Sequence, residues 1–350
     1  MRLQLLWVIA LALLATCSDK ESLSINEDLQ KLTNGSQYFE IDSEKGDTIE
    51  TPNGTRIIIP PNTLVFADGR EAHGTVELEV KEVFDKSEMI LNSLSTVSDG
   101  RLLESFGMVY LRATSDGNEL KISDGSSVTI SIPNEKGGYG GELFYGEETD
   151  SAFNWQYAGQ TDSVTIAEEV VIPLAGGPDS VRRRQYTIAN GDTVFATDMD
   201  FVANDEEGWD GAGLESGAVD TAMGYPHDYL FEVTKLGWMN CDRFIDITDK
   251  VDLALKLEWY SQPLGYLVFS DINSVVWIDF DAQGNGTVKN LPNGYAIDVV
   301  VIDKIDGDIM WTRRGVETGT DDNVQLVMNK IGLDDLKYEL KKLDKQAPAP

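Results

Sequence analysis

The chain has 350 residues, with 60 Asp and Glu against 28 Lys and Arg, and a formal net charge of −32. Such a charge repels polyanions, and no basic face interrupts it: the longest basic run, Arg182-Arg183-Arg184, lies between Asp179 and Asp192. Nucleic acid is thereby excluded as a partner, while 41% hydrophobic residues, with 7 Trp, 12 Tyr and 12 Phe, suffice for cores in two or three domains.

Arg2 is followed by an uncharged, mostly apolar run from Leu3 to Leu14, then by Ala15, Thr16 and Cys17. A positive start, a short apolar segment and a small-residue exit predict a secretory signal. A permanent membrane helix needs about 20 apolar residues, more than this run supplies. Leu14-Ala15-Thr16-Cys17 resembles the lipobox of bacterial lipoproteins, with Thr16 where that family has Gly, Ala or Ser. The resemblance implies a signal peptide over residues 1–17, lipid on Cys17, membrane attachment through that lipid, and a place in the cell envelope at the outer membrane. Ordinary secretion is the competing reading. Residues 18–37 are polar and predict a tether. Its start, Ser18-Asp19-Lys20-Glu21, resembles the surface-export signal of Bacteroidota lipoproteins; a plain flexible linker is the other reading.

Residues 38–135 have period two. Val76, Leu78 and Val80 alternate with Glu77, Glu79 and Lys81; Val128, Ile130 and Ile132 alternate with Thr129 and Ser131. Alternation places apolar side chains on one sheet face. Asn53-Gly54, Asp68-Gly69, Asp99-Gly100, Asp116-Gly117 and Asp124-Gly125 supply the turns. Short, regularly punctuated strands predict a β-sandwich. The stretch from Gly54 to Leu64, with Asp85 to Leu91 and Leu103 to Met108, is similar to blocks of a Bacteroidota lipoprotein group and loosely resembles a ZU5 domain, an interaction module. That resemblance implies a fold rather than a reaction.

Residues 136–227 read as a few strands and a mobile acidic linker. Gly137-Gly138-Tyr139-Gly140-Gly141 predicts a joint, and residues 204–217 hold four Gly and five acids. Alternation returns with Tyr229, Phe231 and Val233, and again with Val251, Leu253, Leu255 and Leu257. Residues 228–345 therefore predict a second β-domain. It resembles an immunoglobulin-like or transthyretin-like sandwich, and its Gly286 to Gly294 phrase is similar to a turn in carboxypeptidase-regulatory modules. Leu333, Leu336, Leu340 and Leu343 share one helical face, which predicts a closing helix. The predicted fold class is all-β: two β-sandwich domains, an acidic Gly-rich linker and a short C-terminal helix.

Residues that carry chemistry are sparse. Besides Cys17 there is one cysteine, Cys241, and the histidines are His73 and His227, so zinc spacing and an internal disulfide framework are both missing from the sequence. No Gly-x-Ser-x-Gly elbow and no phosphate-binding Gly loop with Lys is present. A Cys241–His227 pair would make a nucleophile. The setting of Cys241, between Trp238 and Phe244 in a block that again resembles the lipoprotein group, favours a small buried residue instead. Trp238, Cys241 and Phe244 are thus expected in the core of the second domain. Asp279, Asp281 and Gly284 have the first spacings of a calcium loop, but its closing position holds Asn290. Asp205, Glu206, Glu207 and Asp210 form the densest acidic group, read as a solvated loop. No metal, cofactor or catalytic residue is assigned.

The expected function is non-enzymatic: a lipid-anchored envelope protein that presents β-domains to a structural or adhesive partner, an envelope protein or a glycan. A glycan-binding component of a surface uptake system is one alternative, and would need coplanar exposed aromatics. An unrecognised hydrolase is another, and would need converging acids in a pocket.

Overall fold

A computed structural model describes residues 25–134, 141–148, 153–158, 228–320 and 323–345, and the backbone of the strands Val164–Ile172, Ser180–Ala189 and Thr193–Met199. Cys17, His227, the acidic group at 205–210 and the expected linker at 204–217 lie outside the described residues.

Strands dominate, as the alternation requires, and they build two sandwiches. One sheet of the first sandwich runs in the order Gln37–Asp42, Thr75–Val83, Arg101–Ser115, Gly237–Phe244, Glu142–Glu148, Phe153–Tyr157. The facing sheet runs Thr193–Met199, Ser180–Ala189, Val164–Ile172, Asp228–Val233, Val128–Pro133, Arg56–Ile59, Asp47–Glu50. Val76, Leu78, Val80, Val128, Ile130 and Ile132 close the core between them, each fully buried.

This pairing corrects the expected domain start at residue 228. Asp228–Val233 pairs with Val128–Pro133, and Gly237–Phe244 pairs with Arg101–Ser115 and Glu142–Glu148. Both strands complete the first sandwich, so its last strand ends at Phe244. The reason is topological: each strand fills a central place in a sheet whose other members come from before residue 200.

The second sandwich begins at Lys250. A sheet of Asn285–Pro292, Lys250–Leu257 and Asn323–Leu326 faces a sheet of Val275–Ile278, Leu264–Phe269, Ala296–Ile305, Asp308–Glu317 and Asn329–Lys330. Lys250–Leu257 and Asn323–Leu326 run parallel. Leu253, Leu255, Leu257, Leu267, Phe269, Val299, Val301 and Leu326 fill the space between the sheets.

A third core joins the two sandwiches. Leu103, Met108, Phe144 and Trp155 come from the outer face of the first, and Tyr266, Val268, Val300 and Ile302 from the outer face of the second. Three short helices wedge into this layer: Ile25–Gln30, Lys86–Leu91 and Leu333–Lys341. Leu336, Leu340 and Leu343 dock from the last of these and the turn after it. The first helix corrects the tether expected to reach residue 37. Ile25 and Leu29 share one face of the helix, Leu32 follows in the turn after it, and all three are buried, so their apolar area outweighs the polarity of the residues between them.

Candidate functional site at the junction of the sandwiches

Buried polar groups collect where the turn between Leu264–Phe269 and Val275–Ile278 meets the first sandwich. A bulge sets this up. Cys241 lies opposite Gly107 and Asp242 opposite Ser105, so Phe106 is the extra residue. The disturbed ladder lets Ser105 turn its backbone outward. Its N–H donates to the Asn273 carbonyl at 3.0 Å. The Asn273 side-chain amide donates to the carbonyls of Ser105 at 2.8 Å and Phe84 at 3.0 Å.

Thr96 extends the seam. Its N–H donates to the Val275 carbonyl at 2.7 Å, its Oγ1 accepts from the Val275 N–H at 3.0 Å, and it lies 2.6 Å from Ser274 Oγ. Lys86 reaches in from the second helix, with Nζ donating to the carbonyls of Phe269 at 2.7 Å and Ser270 at 3.3 Å. Nearby, Ser87 donates through its N–H and hydroxyl to the two oxygens of Asp344. A buried lysine or asparagine is costly unless its donors find acceptors, and here they find backbone carbonyls of the opposite sandwich.

Behind Ser105 lies a wholly buried trio. Ser105 Oγ donates to Asn240 Oδ1 at 2.9 Å, and the Asn240 amide donates to Asp242 Oδ2. Among the described residues, Asp242 Oδ1 has no hydrogen-bond partner. Burial pushes the Asp242 carboxyl well above the usual range, beyond what Ser105 and Asn240 recover, and Glu104 adds to the rise. Burial therefore favours the protonated form of this carboxyl. Burial likewise raises the Cys241 thiol. A thiol kept protonated and out of reach of solvent is the opposite of an activated nucleophile.

The sequence-predicted residues fall on two sides of one sheet. Cys241 is buried in the core of the first sandwich. Trp238 and Phe244, partly buried, pack on the shared core from the other face. Their placement in the second domain's interior is corrected with the strand that carries them. Trp238 meets Tyr110 and Phe153, and Phe244 meets Phe144 with Arg101 stacked 3.5 Å over its ring. Ser105, Thr96, Lys86 and Asn273 were not signalled by the sequence, since a polar residue in an alternating strand or turn reads as solvated.

The stretch with calcium-loop spacing is a tight turn. Asp281 accepts from the N–H groups of Gln283 and Asn285 and from the Asn285 amide. The ammonium of Lys256 donates to Gln283 O at 2.6 Å and Asn285 Oδ1 at 3.0 Å, supplying the positive charge of the turn. Among the described residues, no three His, Cys, Asp or Glu gather to hold a metal ion. An open groove of about 520 Å³ lies between Arg101–Ser115, Asn118–Ile122 and residues 234–237, and Arg112 on its wall is paired with Glu79 and Glu119. Among the described residues, the exposed aromatics Tyr38, Tyr157 and Tyr338 come from three separate elements, and Trp259 from the loop after Lys250–Leu257. Tyr157 and Phe244 are neighbours, but their rings are inclined at 53° and do not form a flat platform.

Compared with known proteins, the chain matches no family model and no curated protein.

Proposed function

We propose that this chain is a non-enzymatic, lipid-anchored protein of the cell envelope that presents two coupled β-sandwiches to a structural or adhesive partner. The observation that carries this reading is the junction. Among the described residues, Lys86 is committed to holding the sandwiches together, and burial favours the uncharged forms of Asp242 and Cys241. A shared core and a hydrogen-bonded seam fix the two sandwiches against each other, which suits a protein that transmits position or force. The apolar exit at Cys17 supplies the anchor in this reading, and one lipid chain alone would hold only marginally.

The test combines fractionation with crosslinking in cells. Mass spectrometry of the mature N-terminus should find a lipid-modified Cys17, and Cys17→Ala should leave the membrane fraction. Photo-crosslinkers at exposed Tyr38 and Tyr157 should trap a defined envelope protein. Hydrolytic turnover by the purified full chain, abolished by a single carboxylate substitution, would overturn the proposal.

A further inference from the structure

Two of the exposed large apolar side chains share one end of the second sandwich. Lys250–Leu257 and Asn323–Leu326 run parallel, with Leu257 opposite Leu326. The chain leaves both strands at that end, and Trp259 and Val327 follow, 57% and 65% exposed. Neither is drawn into the core beneath, although Tyr260 and Met328 beside them are.

This end is also where the N-terminal helix is fastened. Asp28 of Ile25–Gln30 pairs with Lys304 at 2.6 Å, with both side chains largely buried. The neighbouring Asp303 accepts the N–H groups of Ser261 and Gln262, in the loop that carries Trp259. The helix start is thus held close to the Trp259 loop. Cys17 is eight residues before Ile25. At about 3.3–3.6 Å per residue those eight steps span roughly 29 Å at most. A lipid on Cys17 would keep this end of the molecule within that distance of the bilayer.

We propose that Trp259 and Val327 form a membrane-contact patch that rests on the lipid surface beside the anchor. Tryptophan favours the bilayer interface, where its ring is half in hydrocarbon and half in headgroups. The charges select the lipid. Lys304 is paired with Asp28, Lys330 with Asp308, and Lys256 is held in the Asp281 turn. Glu258 and Asp306 are exposed at the same end. Arg314, exposed beside them, donates to the Gln325 carbonyl and is offset by these two acids, so the surface that fits is zwitterionic. The proposal rests on the lipid-anchor reading, and one experiment separates the two.

The full chain, purified from membranes with its N-terminus intact, is reconstituted on phosphatidylcholine vesicles containing brominated acyl chains. Val327→Cys carries a polarity-sensitive dye; Cys241 is buried and does not compete for it. Flotation reads the anchor, and dye emission reads the patch. The expected result is flotation, with a blue shift and loss of emission at position 327. The same dye on Asn118→Cys, at the exposed start of the strand Asn118–Ile122 in the first sandwich, should show neither change, and Trp259→Gln should weaken the effect at 327. Flotation without quenching at 327, or equal quenching at 118, overturns the contact patch and leaves the anchor standing. Failure of the unmodified chain to float overturns both.

Discussion

Ser105 and Asn273 grip each other at two points across the two sandwiches: the Ser105 N–H donates to the Asn273 carbonyl, and the Asn273 amide donates back to the Ser105 carbonyl. The pair behaves as a single rung of sheet between parts of the chain 168 residues apart. Its consequence is cooperative unfolding. Asn273→Ala removes the amide donor from the buried Ser105 carbonyl, at about 1–3 kcal/mol, and from the half-buried Phe84 carbonyl at a smaller cost. Urea denaturation followed by two probes, one in each sandwich, should give coincident transitions for the unchanged protein. In Asn273→Ala the midpoint should fall and the transitions separate. Asn273→Asp should be worse, because it sets a carboxylate oxygen against the two carbonyl oxygens that the amide now serves.

Asp242 gives the protein a pH dependence of defined sign. Its carboxyl is raised in the folded state by burial, while the unfolded chain releases its proton in the ordinary carboxylate range. Between those values the folded state binds more protons, so stability from this group is full below the unfolded value and declines as pH rises. Other carboxylates act in the opposite direction; Asp28, lowered by its hydrogen bonds to Lys304 and Lys31, is one. The difference between the unchanged protein and Asp242→Asn isolates the effect. Thermal unfolding measured from pH 4 to pH 9 should show Asp242→Asn gaining stability relative to the parent as pH increases. A constant difference across that range would refute a neutral Asp242.

Much of the fold was legible because period two survives in the sequence. Val76, Leu78 and Val80, or Val128, Ile130 and Ile132, read directly as one buried face. Order between strands was not legible. Tyr229, Phe231 and Val233 show the same alternation whichever sheet they join, so the first sandwich could not be told from the second. The helix at Ile25 was hidden for another reason. Six residues are too short for periodicity to show, and helices of that length form only through packing. The junction was hidden most of all, because Asn273, Thr96 and Lys86 become buried through contacts with residues far away in the chain.

Packing of the N-terminal helix should be measurable by itself. Leu29 is 1% exposed in the shared core, and truncation of a buried leucine costs about 2–5 kcal/mol. Leu29→Ala should lower the denaturation midpoint and speed proteolysis within residues 25–32. Lys304→Met should have a smaller effect of the same kind, since it leaves Asp28 with Lys31 as its remaining partner. If removal of residues 1–32 leaves the stability unchanged, the helix is not part of the core.

The last prediction joins Cys241 to Gly141. A Cβ built on Gly141 would lie 2.6 Å from the Cys241 sulfur, with Phe106 at 3.4 Å and Tyr229 at 3.5 Å on other sides. The sulfur is fully buried, so it cannot swing into solvent to make room. Gly141→Ala should therefore destabilise by overpacking, about 1–3 kcal/mol. Cys241→Ala should cost roughly 1 kcal/mol, because it removes one small atom from a filled site. The two changes are complementary in volume, so the double variant should be more stable than Gly141→Ala alone, a non-additivity that appears when two side chains share one space. Denaturation of all four proteins gives this coupling directly. Alkylation gives an independent check: the native thiol should resist labelling at neutral pH and react only on unfolding. Strict additivity together with rapid labelling would mean that Cys241 is reachable, and would reopen a nucleophilic role for it.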